Sequence, residues 1–533
     1  MPTDYISFRD THYFSSLICD YLDENKALKP FYNRFPKLEN FKTQIEEKQL
    51  SFKDESRSVL VKALKKQYET VEVSDSTQAN IKRLQNSNTF TVVTGHQLNI
   101  FTGPLYFFYK IISTINLCKE LKSKYPDYDF VPVYWMASED HDFEEINFFN
   151  FKGKKVQWNR EASGAVGALN LDGIEKVFEV FGSQLNGTTN ASELKQYFKK
   201  AYLNHSNLAE AMHYLVNELF KDFGLVIVDG NDSALKRQFI PYVKEELTEQ
   251  WSFLKVSEAN NNLNVLDENY KIQVNPREIN LFYLIEGIRE RIMYKDDVYF
   301  VNNTNLSWSK SEILKEVDDF PERFSPNVIM RPLYQEVILP NLCYIGGGGE
   351  LAYWLQLKSY FESQMIPFPM LLLRNSVLLI TEKQKEKIYK LNIEFSDLFL
   401  NQEDLKIKIT KQISDIKIDF SEQKAHLVKQ FKDMYDLAEK TDASFKGAVA
   451  AQEQKQINGL QHLEKRLLRA QKRKLSDHIN RVLELQNELF PNHSLQERQN
   501  NFSEFYLDNG SDFIKKLVDT LKPLKSEFTL ITI

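Results

Sequence analysis

Glu139, Asp140, His141 and Asp142 put three carboxylates and an imidazole into four consecutive residues. Such crowding is unfavourable unless a cation, an ammonium group or a metal compensates it. The run therefore reads as a receptor for positive charge, with a solvated acidic turn capping the next helix as the alternative. One histidine among adjacent carboxylates lacks zinc-site spacing, so no metal site is expected. Upstream, Gly95-His96-Gln97 combines a glycine that lets backbone turn close to a phosphate with a histidine able to donate to it. The alternative there is a structural turn carrying a surface histidine. Gly346, Gly347, Gly348 and Gly349 precede a helix expected from Glu350, and their N–H groups suit an anion, although Glu350 would repel a phosphate. The Lys-Ser/Thr pair of a P-loop is missing. Arg331 and Arg374 stand near expected strand edges and suit a carboxylate, whereas Arg277, Arg289 and Arg291 read as surface residues. Cys343 has the apolar neighbours of a buried core thiol rather than a nucleophile.

These groups need a scaffold that brings them together. Phe90 to Val93 and Val131 to Met136 read as buried strands flanking one helix, with Pro104 in its first turn and Leu105, Phe108, Ile112 and Ile115 on its apolar face. A strand, a helix and a strand of these lengths form a βαβ unit, so the strands are parallel and His96 shares an edge with the 139–142 run. Open α/β sheets bind ligands at that edge. Gly224 to Asp229 suits a third parallel strand with a carboxylate at its tip. Asn341 to Ile345 and Pro369 to Leu373, joined by the glycine loop and a helix, suit a second βαβ unit. The expected architecture is α/β: a Rossmann-like parallel-sheet core over 1–382, interrupted near 150–222 and 234–330, then an α-helical coiled-coil domain over 383–533. Within the second insertion, 270–302 alternates β-formers with turn signals, and Ser309 to Glu312 fits a capping box. In the helical region Leu468, Leu475, Val482 and Leu489 recur at heptad spacing, with Leu485 between them. That stripe predicts a homodimer through the coiled coil, an intramolecular hairpin being the alternative.

Composition narrows the class of function. The 533 residues are 42% hydrophobic and 27% charged, enough for a large core, and the formal net charge of −6 gives no pull toward nucleic acid or an anionic membrane. Cys19, Cys118 and Cys343 stand far apart with no Cys-x-x-Cys pair, which fits a reducing cytoplasm. The first residues lack a signal-peptide pattern and no apolar run is long enough to span a membrane.

Four ordered blocks carry a resemblance: Thr-Gly-His-Gln-Leu-Asn-Ile-Phe-Thr-Gly-Pro-Leu-Tyr (94–106), Trp-Met-Ala-Ser-Glu-Asp-His-Asp-Phe-Glu-Glu (135–145), Phe-Ser-Pro-Asn-Val-Ile-Met-Arg-Pro-Leu-Tyr-Gln-Glu (324–336) and Gly-Gly-Gly-Glu-Leu-Ala-Tyr-Trp (347–354). Together they resemble the bacillithiol-synthesis cysteine-adding family, BshC, over essentially the whole chain. The resemblance implies a Rossmann-like core with two connecting insertions, a C-terminal coiled coil, and a ligase joining L-cysteine to the amine of glucosaminyl-malate. By analogy with class I synthetase-like cysteine ligases, ATP with magnesium would activate the cysteine carboxylate as an adenylate. No Lys-Met-Ser-Lys-Ser counterpart is present, since Ser309-Lys310-Ser311 reads as a helix cap.

Carried over by position, Gly95, His96 and Gln97 would occupy a nucleotide-facing loop, with Thr102 and Gly103 of the same block also binding. Glu139 would face them with the catalytic candidates Asp140, His141 and Asp142. Arg331 and Arg374 would take the malate carboxylates, and the 346–349 loop an anion. The resemblance also implies that glutamine can replace His96, which favours a hydrogen-bonding role. Two other readings stay open: a nucleotide-dependent glycosyl or nucleotidyl transferase on the same fold, and a non-enzymatic dimeric coiled-coil scaffold.

Overall fold

The computed structural model describes residues 3–533. Its centre is a sheet whose strands are short, β-branched and buried on both faces. Strands β1 (Thr89–His96) and β2 (Asp129–Met136) are joined by β3 (Val226–Asp229), β4 (Asn341–Gly346) and β5 (Met370–Leu373) in the order β5-β4-β1-β2-β3, every pair parallel. Pro132 has no N–H to give, and it stands just before Val133, where β2 becomes paired on both edges. The chain builds outward from β1 to β3, then returns to β4 on the other side. The strand order therefore reverses between β1 and β4, where a crevice opens at the C-terminal ends.

Four helices matter for what lies in that crevice: α1 (Phe41–Ser51), α2 (Tyr106–Lys124), α3 (Met330–Ile338) and α4 (Gly348–Trp354). Helix α2 is buried continuously from Phe107 to Cys118, as expected for a helix apolar almost all round. Its Leu117, Cys118 and Leu121 pack with Phe41 and Ile45 of α1 against Phe90, Val92, Cys343, Ile345 and Met370 of the sheet. Each large apolar side chain buried this way stabilises the fold by about 1.5–3 kcal/mol. Cys343 lies in this core, and burial pushes its thiol well above the ordinary range.

Two segments interrupt the core strands. The first holds a hairpin, Phe148–Phe151 with Lys154–Gln157, and the helices Ile174–Gln184, Thr189–Tyr202 and Leu208–Phe220. The second holds an antiparallel meander of Leu281–Ile285, Ile288–Lys295 and Val298–Val301, with Phe324–Pro326 paired to its first strand. Ser309 and Glu312 form the capping box. No helix among the described residues is long and apolar enough to cross a membrane.

The described chain divides into two compact units, one of residues 3–9, 13–378 and 494–531, the other of 10–12, 379–493 and 532–533. The division drawn from composition assigned all of 383–533 to the helical part. By packing, residues 494–531 group with the first unit. Phe502 stacks on Phe108 of α2 at 4.6 Å, and Asn116 donates to the carbonyls of Val518 and Leu521 at 2.8 and 2.7 Å. Thr3 to Ile6 pair antiparallel with Phe528 to Ile531.

In the second unit α5 (Ser421–Ala438) and α6 (Ala443–Lys474) pack together, with Phe431, Ala438 and Val449 between them and a Lys424–Glu464 ion pair of 2.6 Å. The heptad stripe does not lie on one helix. Leu475 has non-helical backbone and separates α6 from α7 (Ser476–Leu489). Val482, Leu485 and Leu489 are buried, Gln486 donates to the carbonyls of Leu398 and Leu400, and Phe490 meets the Phe399 ring. That part of the stripe is covered by residues near 400 of the same chain, so it is not the free dimer surface that its spacing predicted.

Candidate active site

A cavity of about 920 Å³ opens at the C-terminal ends of β1, β2 and β4. Its wall by the β2 tip is acidic. Asp140 accepts from Gln97 Nε2 at 3.0 Å and from the His141 backbone N–H at 2.8 Å, while Gln97 also reaches Glu145 at 2.8 Å. Burial alone would raise the Asp140 carboxyl, but hydrogen bonds from His141 and Gln97 and the Arg289 charge outweigh it and hold Asp140 well below the carboxylate range. Arg289 stacks on Phe282 at 4.1 Å and donates to His141 Nδ1 at 2.7 Å. Because a guanidinium only donates, Nδ1 accepts and the ring proton sits on Nε2. Glu139 pairs with buried Lys236 at 2.5 Å. Behind them Ser138 donates to Asp229, whose carboxyl is pushed up to about 6 by burial. The ion pairs of this wall come from Lys236, to Glu139, and Arg289, to Asp140, and Arg277 also lines the cavity.

The opposite wall is basic. Lys110, the one charge in the buried stretch Phe107 to Cys118 of α2, donates to the Gly95 carbonyl at 2.7 Å and meets Glu350 at 2.6 Å. Glu350 also accepts from Tyr344 Oη at 2.7 Å and from the Gly347 N–H at 2.8 Å. Burial works against that carboxylate, yet Lys110 and these donors hold it below its ordinary value, while burial lowers Lys110. Arg374 is buried against Glu497 at 2.7 Å, and Glu497 also accepts the Val377 N–H at 2.9 Å. Arg331 lies between the rings of Trp135 and Tyr344, at 5.8 and 5.7 Å, and donates to the neutral amide of Gln335 at 3.0 Å, while Tyr353, Tyr344 and the Glu350 carboxylate favour its charge against burial. Arg498 lies 6.0 Å from the Tyr106 ring, which Arg374 also flanks at 5.0 Å. Four cations therefore face two carboxylates on this side.

Three buried nitrogens in the cavity wall have no hydrogen-bond partner: His96 Nε2, Arg331 Nη2 and Arg374 Nε. His96 packs against Tyr106 and Phe107, and burial, with the charges of Lys110 and Arg374, drives its pKa well below the ordinary value. It is neutral, with Nε2 free to donate or accept.

Of the residues singled out on sequence, Gly95, His96, Gln97, Glu139, Asp140, His141 and Asp142 line this cavity, as do Arg331, Gly347, Gly349 and Arg374. Thr102 and Gly103 do not. Both have positive φ in a buried loop where Asn501 donates to the Gly103 carbonyl, and a Cβ on Gly103 would lie 2.6 Å from Asn99. Gly346 and Gly348 also lie outside it, and Gly346 is glycine because a Cβ would meet Leu351 at 2.8 Å. The anion expected at this loop is already there as the Glu350 carboxylate. Asp140, His141 and Asp142 bring one ligand atom each within 4.8 Å of one another, a grouping the zinc-spacing argument did not anticipate. Sequence reasoning also missed Lys110, Glu497 and Arg498 and set Arg289 aside. Only Lys110 left a signal, as the one charge in the apolar stretch Phe107 to Cys118.

The chain is similar to known proteins along its whole length. Residues 1–375 match the N-terminal Rossmann-like domain of bacillithiol biosynthesis BshC, and residues 377–533 match its C-terminal coiled-coil domain. The chain belongs to the BshC family. A Flavobacterium johnsoniae relative is 59% identical over 533 residues, covering 100% of both chains. One from Christiangramia forsetii is 59% identical over 536 residues, covering 100% of this chain and 99% of its own. A more distant Bacillus cereus relative is 27% identical over 521 residues, covering 94% of this chain and 95% of its own. All three carry the name "Putative cysteine ligase BshC". The Rossmann-like half of the family is the part that holds the cavity, with Arg498 added from the C-terminal half.

Proposed function

We propose that this chain is a ligase that joins the carboxylate of L-cysteine to the amine of glucosaminyl-malate, in the last step of bacillithiol synthesis. The observation that carries the reading is the division of charge across one cavity, above all a buried Arg331 that forms no ion pair among the described residues and has Glu350 only at longer range. Burying a guanidinium without a counter-charge is costly, and a carboxylate of the ligand supplies that charge. Arg331 and Arg374 Nε are assigned to the malate carboxylates. The acidic wall is assigned to an ammonium group, where an attraction of roughly 4 kcal/mol at 4 Å, before desolvation, is enough to set orientation. In the bond-forming step the neutral amine attacks the cysteine carbonyl carbon, the bond from that carbon to the departing oxygen breaks, and the amine nitrogen loses a proton.

ATP with magnesium is the activator of this proposal, and it would supply a better leaving group on the cysteine carboxylate. The residues present fit an anionic co-substrate: His96 Nε2 and the exposed Arg498 suit phosphate oxygens, and the carboxylates of Asp140 and Asp142 suit a hard cation. The reaction is assigned to the cytoplasm, in keeping with three free, buried cysteines. The protein is further proposed to be a homodimer through the α5–α6 hairpin, whose Val428, Leu437, Phe445 and Leu463 are exposed among the described residues.

Mass spectrometry after incubation with glucosaminyl-malate and cysteine, with and without Mg-ATP, tests the reading. A product heavier by one cysteinyl residue, formed only with ATP, is expected. Product without ATP removes the adenylate route, and absence of product under every condition overturns the ligase assignment.

A further inference from the structure

Arg331 is aimed by buried polar groups that lie behind it, away from the cavity. Lys48 Nζ of α1 lies 3.0 Å from Glu336 Oε2. The other oxygen of Glu336 accepts from Asn341 Nδ2 at 2.6 Å and from Gln335 Nε2 at 3.0 Å. Lys48, Gln335, Glu336 and Asn341 are all buried. An amide has one donor end and one acceptor end, and a carboxylate only accepts. Burial raises the Glu336 carboxyl, and the Lys48 contact, Asn341 and Gln335 oppose it; Glu336 Oε1 accepts the NH2 of Gln335, which turns the Gln335 oxygen toward Arg331 Nη1. Rotating the amide would set its oxygen against the carboxylate and its NH2 against the guanidinium. The opposite face of the guanidinium then has a single orientation, and Nη2 remains unpaired in the cavity wall.

The chemical type of residue 335 matters as much as its direction. A carboxylate there would close an internal ion pair and consume the charge of Arg331, as Glu350 does for Lys110. The amide orients the guanidinium and leaves its charge uncompensated.

We propose that Gln335 is a positioning and specificity-determining residue for the anionic co-substrate, locked in one orientation by the Lys48–Glu336 pair so that Arg331 presents a free positive charge to a carboxylate. This rests on Arg331 being the carboxylate anchor of the proposed function. The test is calorimetric titration of L-malate onto the full-length chain and onto Gln335→Met, Gln335→Glu and the neutral double variant Lys48→Met/Glu336→Gln, with thermal melting of each. Malate binding is expected to weaken about tenfold in Gln335→Met and further in Gln335→Glu, and severalfold in the double variant. In turnover, KM for glucosaminyl-malate rises while kcat and KM for cysteine hold. If the wild-type chain binds malate and Gln335→Met binds it equally well, the positioning role is overturned and the anchor stands. If Gln335→Met weakens malate and cysteine alike, the residue is merely structural and the proposal is again overturned. If the wild-type chain does not bind malate, the anchor fails and this inference with it. Gln335→Met decides the matter even where the charged variant fails to fold.

Discussion

The carboxylate of Glu350 lies 2.6 Å from the ammonium of Lys110 and accepts the N–H of Gly347, so the glycine loop between β4 and α4 carries an anion of its own. A run of glycines ahead of a helix invites a phosphate, yet here the turn lets a side chain of the same chain fold back onto it. The loop then holds Lys110, Tyr344 and Glu350 in one cluster beside the unpaired Arg331.

Breaking that pair from one side should be worse than removing it. Lys110→Met leaves the Glu350 carboxylate without its ion-pair partner, and a loss of about 3–5 kcal/mol is expected in denaturant unfolding. The double variant Lys110→Met/Glu350→Gln should recover most of it. A double variant that loses as much as Lys110→Met would show that the unpaired Glu350 carboxylate is not the source of the loss.

Asp140→Asn should lower turnover more than tenfold, about 1.4 kcal/mol at the transition state, with the fold intact by circular dichroism. Asp142→Asn should also lose more than tenfold. Full cysteine-dependent activity in both variants would reduce the 139–142 run to a solvated cap.

His96→Gln should keep most activity and His96→Ala little, because glutamine still offers a donor at the cavity wall. The lowered pKa of His96 also means that kcat/KM carries no limb from it between pH 6 and 7. Equal and complete loss in both variants would instead assign proton transfer to the imidazole.

Asp229 gives a pH dependence of stability with a defined sign. Its folded pKa of about 6 lies above the roughly 3.9 of an unfolded aspartate, so the native state binds more protons between the two values. Its contribution is therefore most favourable below about pH 4 and is lost as pH rises through 6. Asp229→Asn keeps an acceptor for Ser138 and should gain stability relative to wild type across that window. Urea midpoints of both proteins at pH 4, 5, 6 and 7 measure the difference, and a constant gap would refute it.

For assembly, Leu437→Glu with Phe445→Glu should turn a dimer into a folded monomer in light scattering at micromolar concentration. Val482→Glu should instead unfold the second unit, since Val482 is buried within it. A monomeric wild-type chain would end the dimer proposal.

Much of the core was legible because parallel strands buried on both faces appear as short continuous apolar runs, and their tips mark a ligand edge. His96 and the 139–142 run could be placed on that principle alone. The basic wall could not. Arg374 and Glu497 are 123 positions apart, and only the tertiary fold says that they meet. Heptad spacing misled at Leu475 because periodicity reports which positions share a face only while the helix continues, and here it breaks. Thr102 and Gly103 share a block with His96, but the backbone turns at Phe101 and carries them out of the cavity.

The partnership of Arg374 with Glu497 also sets a clock on biogenesis. A ribosome adding roughly 5–20 residues per second needs about 6–25 s to travel the 123 positions between them. During that interval the nascent chain holds a guanidinium destined for a buried site without its counter-charge. The strand at Thr3 to Ile6 waits longer still, for Phe528 to Ile531. The first unit therefore cannot close until residues 494–531 have been made, and its central parallel strands wait for them.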